Sequence, residues 1–237
     1  MNNLWISERM ISDGFWGALN RSVYFKEAYD DARLVAEITA PLVDKFPSIA
    51  GSISIEDAKL IWLLTKYFSP KCVGEVGAYI GRSTAMMCCG GSSSLHILYT
   101  CDGTFDCMDF GVFEDSALSK EKKNSIRKIK YFGKTMSTEM LQAGKDEGDK
   151  FDMIFIDGRL ADKDIGILRE SISKECVFLI DDFEGVEKGT VNALMIKNAF
   201  PNYILLEPYR ETQSVLAVMV PSQILKLSRQ QSLPVNM

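Results

Sequence analysis

From Lys71 to Ile180, short apolar runs alternate with segments of helical spacing. Lys71–Val76, Leu95–Cys101, Ile129–Phe132, Phe151–Ile156 and Cys176–Ile180 read as strands. Between them, Ser83–Cys89, Lys120–Lys128, Ser137–Gly144 and Lys163–Ser173 read as helices, and Gly90–Ser94 as a loop. Runs such as Met153-Ile-Phe-Ile156 and Val177-Phe-Leu-Ile180 present no polar face, which fits strands covered on both sides. This alternation implies an α/β fold, a mostly parallel, doubly wound sheet with helices on both faces. Val186–Phe200 reads as one more helix. After it, Tyr203–Leu206 and Ser214–Val220 are strands joined by only a turn, so one of them enters antiparallel.

Ahead of this rhythm the chain is helical and rich in aromatics. Val23–Leu42 fits an amphipathic helix ended by Pro41 and Pro47. Ser54-Ile-Glu-Asp57 resembles a capping box with Asp in place of Glu, and opens a helix that stops at Ser69-Pro70. Residues 1–50 are therefore expected to form a helical segment: a lid, a homodimer surface or a completion of the core. Residues 51–221 form the main domain, and residues 222–237 a polar tail.

Composition narrows the function. Hydrophobic content of 46% with 25% charged residues belongs to a folded domain and argues against disorder. The net charge of −5 gives no broad electrostatic footprint for nucleic acid or anionic membrane, so neither is an expected partner. Met1–Trp16 lacks the basic start, apolar core and small-residue cleavage site of a signal peptide. Cys72, Cys88, Cys89, Cys101, Cys107 and Cys176 form no CxxC pair, and the single histidine, His96, does not complete a zinc set with them. They read as small buried hydrophobes in a cytoplasmic protein.

The candidate chemistry begins where the first strand ends. Glu75-Val-Gly77-Ala-Tyr-Ile-Gly81-Arg-Ser83 leads from strand to helix. Its glycines permit a tight turn, and the helix N-terminus offers N–H groups to an anion. The spacing is neither G-x-G-x-x-G nor a Walker loop, which sets aside dinucleotide and nucleotide-phosphate binding. Asp102 ends the second strand, placed to accept from both ribose hydroxyls of an adenosine.

These residues resemble motif I and the ribose-binding acid of the class I S-adenosylmethionine-dependent methyltransferases. The resemblance runs over about Ser52–Pro221. It implies a Rossmann-like sheet of seven strands, the last antiparallel, with the methyl donor lying over the loop. By the same resemblance Glu75, Gly77, Ala78, Tyr79, Gly81 and Ser83 line the donor's methionine side, and Asp102 holds its ribose. Gly103 and Thr104 sit near the adenine, as does Ser137 at the end of Gly133–Ser137.

Further acids end the fourth and fifth strands: Asp157, and the pair Asp181-Asp182. Neighbouring parallel strands finish on one rim, so the three carboxylates converge if the fifth strand has already broken into a loop at Phe183-Glu-Gly185. Clustered carboxylates repel unless a cation sits among them, and an all-oxygen set suits Mg²⁺, Ca²⁺ or Mn²⁺ rather than zinc. The set resembles that of metal-dependent O-methyltransferases of the catechol and macrocin types. That resemblance implies Asp157, Asp181 and Asp182 as Mg²⁺ ligands and Asp157 as general base, acting on a hydroxyl of a small-molecule acceptor. The catechol type has a lysine three residues beyond its first Asp, where this chain has Leu160. A metal-independent N- or C-methyltransferase and an inactive binding module on the same fold are the alternatives.

Overall fold

Among the residues described by the structure, a computed structural model covering 2–45, 52–183, 185–208 and 214–224, the apolar runs build one sheet. Its strands are β1 (Cys72–Val76), β2 (Ile97–Asp102), β3 (Ile129–Gly133), β4 (Phe151–Ile156), β5 (Ile172–Ile180), β6 (Tyr203–Leu206) and β7 (Ala217–Pro221). They lie in the order β3-β2-β1-β4-β5-β7-β6. β1 to β5 pair in parallel, whereas β7 runs antiparallel to both of its neighbours. The antiparallel strand therefore sits inside the sheet edge rather than at it. Pro47, Glu184 and the tail beyond residue 224 lie outside the described residues.

Helices α1 (Asn2–Asn20), α2 (Phe25–Lys45), α3 (Ile55–Phe68), α4 (Arg82–Gly90), α5 (Gly111–Glu114) and α6 (Lys120–Ile126) precede β3. Then follow α7 (Ser137–Asp146), α8 (Asp162–Ser171), a π-helical turn (Val186–Thr190) and α9 (Val191–Ala199). Side chains alternate across the sheet, and both faces are apolar. Met153, Phe155 and Leu179 meet Leu60, Leu64 and Met86 on one side. Ile154, Ile156 and Phe178 meet Leu141, Leu168 and Ile196 on the other. All six cysteines are free and buried, as their apolar settings led one to expect.

The N-terminal segment shares the first of these cores. Trp16, Leu19, Ala28, Ala32 and Val35 are buried in it, and the Trp62 indole donates to Asp31 at 2.8 Å. Pro41 does not end α2, contrary to the sequence pattern, and the helix continues to Lys45. Proline removes one intrahelical hydrogen bond, but Pro41 is exposed, where water can serve the freed Glu37 carbonyl. Burial of Leu42 against Tyr79 and Ile80 holds the last turn in place.

Ser54 caps α3, accepting from the Asp57 amide at 3.0 Å. Asp57 in turn accepts from Ser214 at 2.5 Å, which ties the start of α3 to the approach to β7. α3 and α4 cross closely at Gly90, where an added Cβ would lie 2.4 Å from the Trp62 carbonyl oxygen. Gly90→Ala is expected to cost about 1–3 kcal/mol despite better helix propensity, because backbone rather than a flexible side chain must move. Thermal melting should show a fall of roughly 3–10 °C.

Register brings the functional ends together. Val76 pairs with Cys101 and with Ile156, and Ile156 pairs with Ile180. Gly77, Asp102, Asp157 and Asp181 therefore leave the sheet along one rim.

Candidate active site

The glycine turn is built from below. Glu75 is fully buried and accepts from Ser83 (2.6 Å), Thr84 (2.5 Å) and Thr100 (2.5 Å). Burial pushes its carboxyl up to about 7, against the pull of those hydroxyls. Glu75 and Ser83 thus brace the turn from beneath and are not among the residues lining the cleft. The amides of Gly77 and Ala78 both donate to the Cys101 carbonyl, at 2.9 and 3.0 Å. Gly77 has φ 98°, and an added Cβ would lie 3.0 Å from the Asp157 backbone. The neighbouring strand, rather than a ligand, is what forbids a side chain there. Gly81, with φ 79°, starts α4 and faces the Met108 side chain instead of the cleft. The Ala78 side chain is buried. Gly77 and Tyr79 line the cleft, and Tyr79 holds a left-handed φ of 45°.

Asp102 lines the cleft but is heavily engaged. Its Oδ2 accepts from the Tyr79 amide at 2.9 Å, and its Oδ1 from the amides of Thr104 (2.9 Å) and Phe105 (2.7 Å). A carboxylate has about four lone-pair positions, so roughly one is left for a ligand. Gripping both ribose hydroxyls is thus more than this carboxylate can do without giving up an amide. Gly103 packs beneath Met136, and Thr104 contributes its amide to Asp102. The Ser137 hydroxyl donates to the buried Asp164 at 2.6 Å and stays away from the cleft. Phe105, which the sequence pattern did not single out, lines the cleft on that side.

The acids of β4 and β5 do meet. One carboxylate oxygen from each of Asp157, Asp181 and Asp182 lies within 4.8 Å of the others. The fifth strand has indeed broken by then: β5 stops at Ile180 and Asp182 takes φ 50°, so consecutive side chains turn toward one point. Asp181 is buried, and its Oδ1 has no hydrogen-bond partner. Burial first, then the charges of Asp157, Asp57 and Asp182, hold its carboxyl well above the usual range. Burial raises Asp157 as well, partly offset by Lys188.

Lys188 is the residue that sequence reasoning missed. Its ammonium donates to Asp157 Oδ1 and, at 2.7 Å, to Asp182 Oδ2. Partial burial draws its pKa down, but the two carboxylates outweigh that and raise it. It rides on the π-helical turn, which packs against the end of β5. An added Cβ on Gly189 would lie 2.5 Å from the Asp182 carbonyl oxygen and 2.6 Å from that of Asp181.

Together these residues border a cleft of about 350 Å³. Gly77, Tyr79, Asp102 and Phe105 line one side, and Asp157, Asp181, Asp182 and Lys188 another. Ser52, Ile53, Ser54 and Asp57, before and at the start of α3, close it with Val215. Arg82 braces this wall by donating to the Ile53 carbonyl and the Thr39 hydroxyl, both at 3.2 Å. Five carboxylates and one ammonium face the same space.

The sheet order, the glycine turn and the acid-lined rim define the fold of the class I S-adenosylmethionine-dependent methyltransferases. The chain is similar to the Bacillus cereus O-methyltransferase solved in complex with SAH, at 17% identity and a TM-score of 0.58 over 81% of this chain and 90% of that one. It is also similar to TomG from Streptomyces achromogenes, an O-methyltransferase involved in tomaymycin synthesis and solved with SAM. Identity there is 13% and the TM-score 0.55, covering 88% of this chain and 95% of that one. The SAH-bound Podospora anserina methyltransferase PaMTH1 aligns over 93% of this chain and 96% of its own, at 11% identity and a TM-score of 0.52. No family model matches the chain, and no curated protein matches it by sequence. Among the described residues no helix is long and apolar enough to cross a membrane.

Proposed function

We propose that this chain is an S-adenosylmethionine-dependent methyltransferase that methylates a hydroxyl of a small molecule with the help of a divalent cation, Mg²⁺ for preference. One observation carries the reading: a single cleft joins the glycine turn and Asp102 to the carboxylate trio at the ends of β4 and β5. A donor with a sulfonium and an ammonium group is cationic, and a cleft lined by five carboxylates and one ammonium favours such a ligand. Asp102 keeps acceptor capacity for one ribose hydroxyl, while its three amide bonds hold the turn and the Phe105 wall in place.

The residues fit a small divalent ion. The donor set is all oxygen, the atoms lie within 4.8 Å of one another, and Asp181 Oδ1 is buried without a partner. Asp157, Asp181 and Asp182 would hold the ion, which when bound lowers the pKa of a coordinated hydroxyl and fixes its oxygen. The resemblance also makes Asp157 the group that would take that proton, and its place on the cleft wall beside Asp182 is compatible with that role. Asp57 and the wall of α3 limit how far an acceptor can spread, and so favour small ones.

A second reading, metal-free methyl transfer, draws on Lys188. Its ammonium already supplies a positive charge to two of the three acids. Chelation separates the two. SAH should bind by calorimetry, and methyl transfer from S-adenosylmethionine to a panel of phenols and sugars should stop on adding EDTA and return with Mg²⁺. Absence of SAH binding overturns the donor assignment, and turnover that survives EDTA selects the metal-free reading.

A further inference from the structure

We propose that the Lys188 ammonium is the built-in counter-cation of the acidic trio, and that a divalent ion enters the site by displacing it. The inference rests on the metal-dependent reading above and goes further, to how that metal gains access. Lys188 bridges Asp157 and Asp182 and leaves the third acid unserved, with Asp181 Oδ1 buried and unpartnered. Lys188 serves two acids of the three, and a doubly charged ion can serve all three at once, Asp181 giving up its proton as the ion binds. The ammonium and the ion claim the same two carboxylates, Asp157 and Asp182, and repel each other, so one excludes the other.

The exchange asks little of the fold. The Lys188 side chain keeps 25% of its surface exposed, so the ammonium can swing into solvent on its flexible stem. The backbone beneath it stays put, because Gly189 is wedged against the carbonyls of Asp181 and Asp182. Lys188 therefore lowers the apparent affinity for the ion while keeping the metal-free site from flying apart.

The test is a titration of the full chain with Mn²⁺, the free ion being read by electron paramagnetic resonance. Wild type, K188Q and K188R are compared after circular dichroism has confirmed folding; K188A serves in place of K188Q should that variant not fold. K188Q is expected to bind Mn²⁺ about tenfold tighter or more, since its site no longer carries a competing charge. K188R, which retains the charge, is expected to stay near the wild-type affinity. Equal or weaker binding by K188Q overturns the proposal and leaves the metal reading standing, as does tight binding by K188R. No Mn²⁺ binding by wild type or K188Q overturns the metal reading, and the proposal with it.

Discussion

Asp181→Asn is expected to make the metal-free protein more stable and to cost it its divalent ion. Asp181 is buried among acids, its Oδ1 unpartnered, while Lys188 serves only Asp157 and Asp182. Burial and those neighbouring charges raise its carboxyl well above the ordinary value. The sign of the pH dependence follows. As pH climbs past about 4, the unfolded chain releases this proton while the folded chain keeps it, so folding of the wild type becomes less favourable. An amide at this position carries no such penalty. At neutral pH the variant should gain on the order of 1–2 kcal/mol, after allowance for relaxation around a buried charge. That corresponds to roughly 2–8 °C in the melting temperature. Below about pH 4 both states hold the proton and the difference should vanish. Loss of one anionic ligand should weaken Mn²⁺ binding roughly 100-fold, a few kcal/mol of charge-assisted bonding. Melting curves between pH 4 and 8 and an Mn²⁺ titration measure both effects. A variant less stable than wild type at pH 7, with unchanged Mn²⁺ affinity, would show that Asp181 is an ordinary structural acid.

Asp102→Ala should hit donor binding hardest. The substitution removes one prospective bond to ribose, and it strips three amides of their acceptor: those of Tyr79, Thr104 and Phe105. A hydrogen bond to a charged group contributes about 1.5–3 kcal/mol, and loosening of the turn adds to its loss. SAH affinity is expected to fall about 100-fold, and stability by roughly 2 kcal/mol as partly sheltered N–H groups lose their partner. Calorimetry with SAH and a urea melt check the two effects separately. SAH affinity within a few fold of wild type would remove Asp102 from the donor site.

The sheet was legible in the chain because its strands are apolar on both faces. Runs such as Phe151–Ile156 have few other places to go, and the lack of a helical pattern between the last two strands announced the antiparallel one, although β7 begins at Ala217 rather than Ser214 and the connection is longer than the turn expected. The acids at the strand ends were legible for the same reason: parallel neighbours end together, which put Asp157 and Asp181 on one rim. What escaped was whatever depends on partners distant in the chain. Lys188 fell inside Val186–Phe200, which read only as one more helix, and no local pattern foretold that Gly189 would let a π-helical turn lie against Asp181 and Asp182. Ser137 sat where a donor contact was expected, yet the buried Asp164 on α8 claims its hydroxyl. Glu75 was placed on the donor side by the motif I resemblance, whereas Ser83, Thr84 and Thr100 draw its carboxylate inward. Pro41 read as a stop because the pattern could not show that Leu42 has a seat to fill.

The buried union of Glu75 with Ser83, Thr84 and Thr100 also bears on how quickly a nucleoside could be captured. It fastens the strand, the following helix and the adjacent strand to one another beneath the turn, so the receptacle is shaped once, when the chain folds. Each arriving molecule then meets a surface already set, and its encounter is spared the entropy of moulding a loose segment around it.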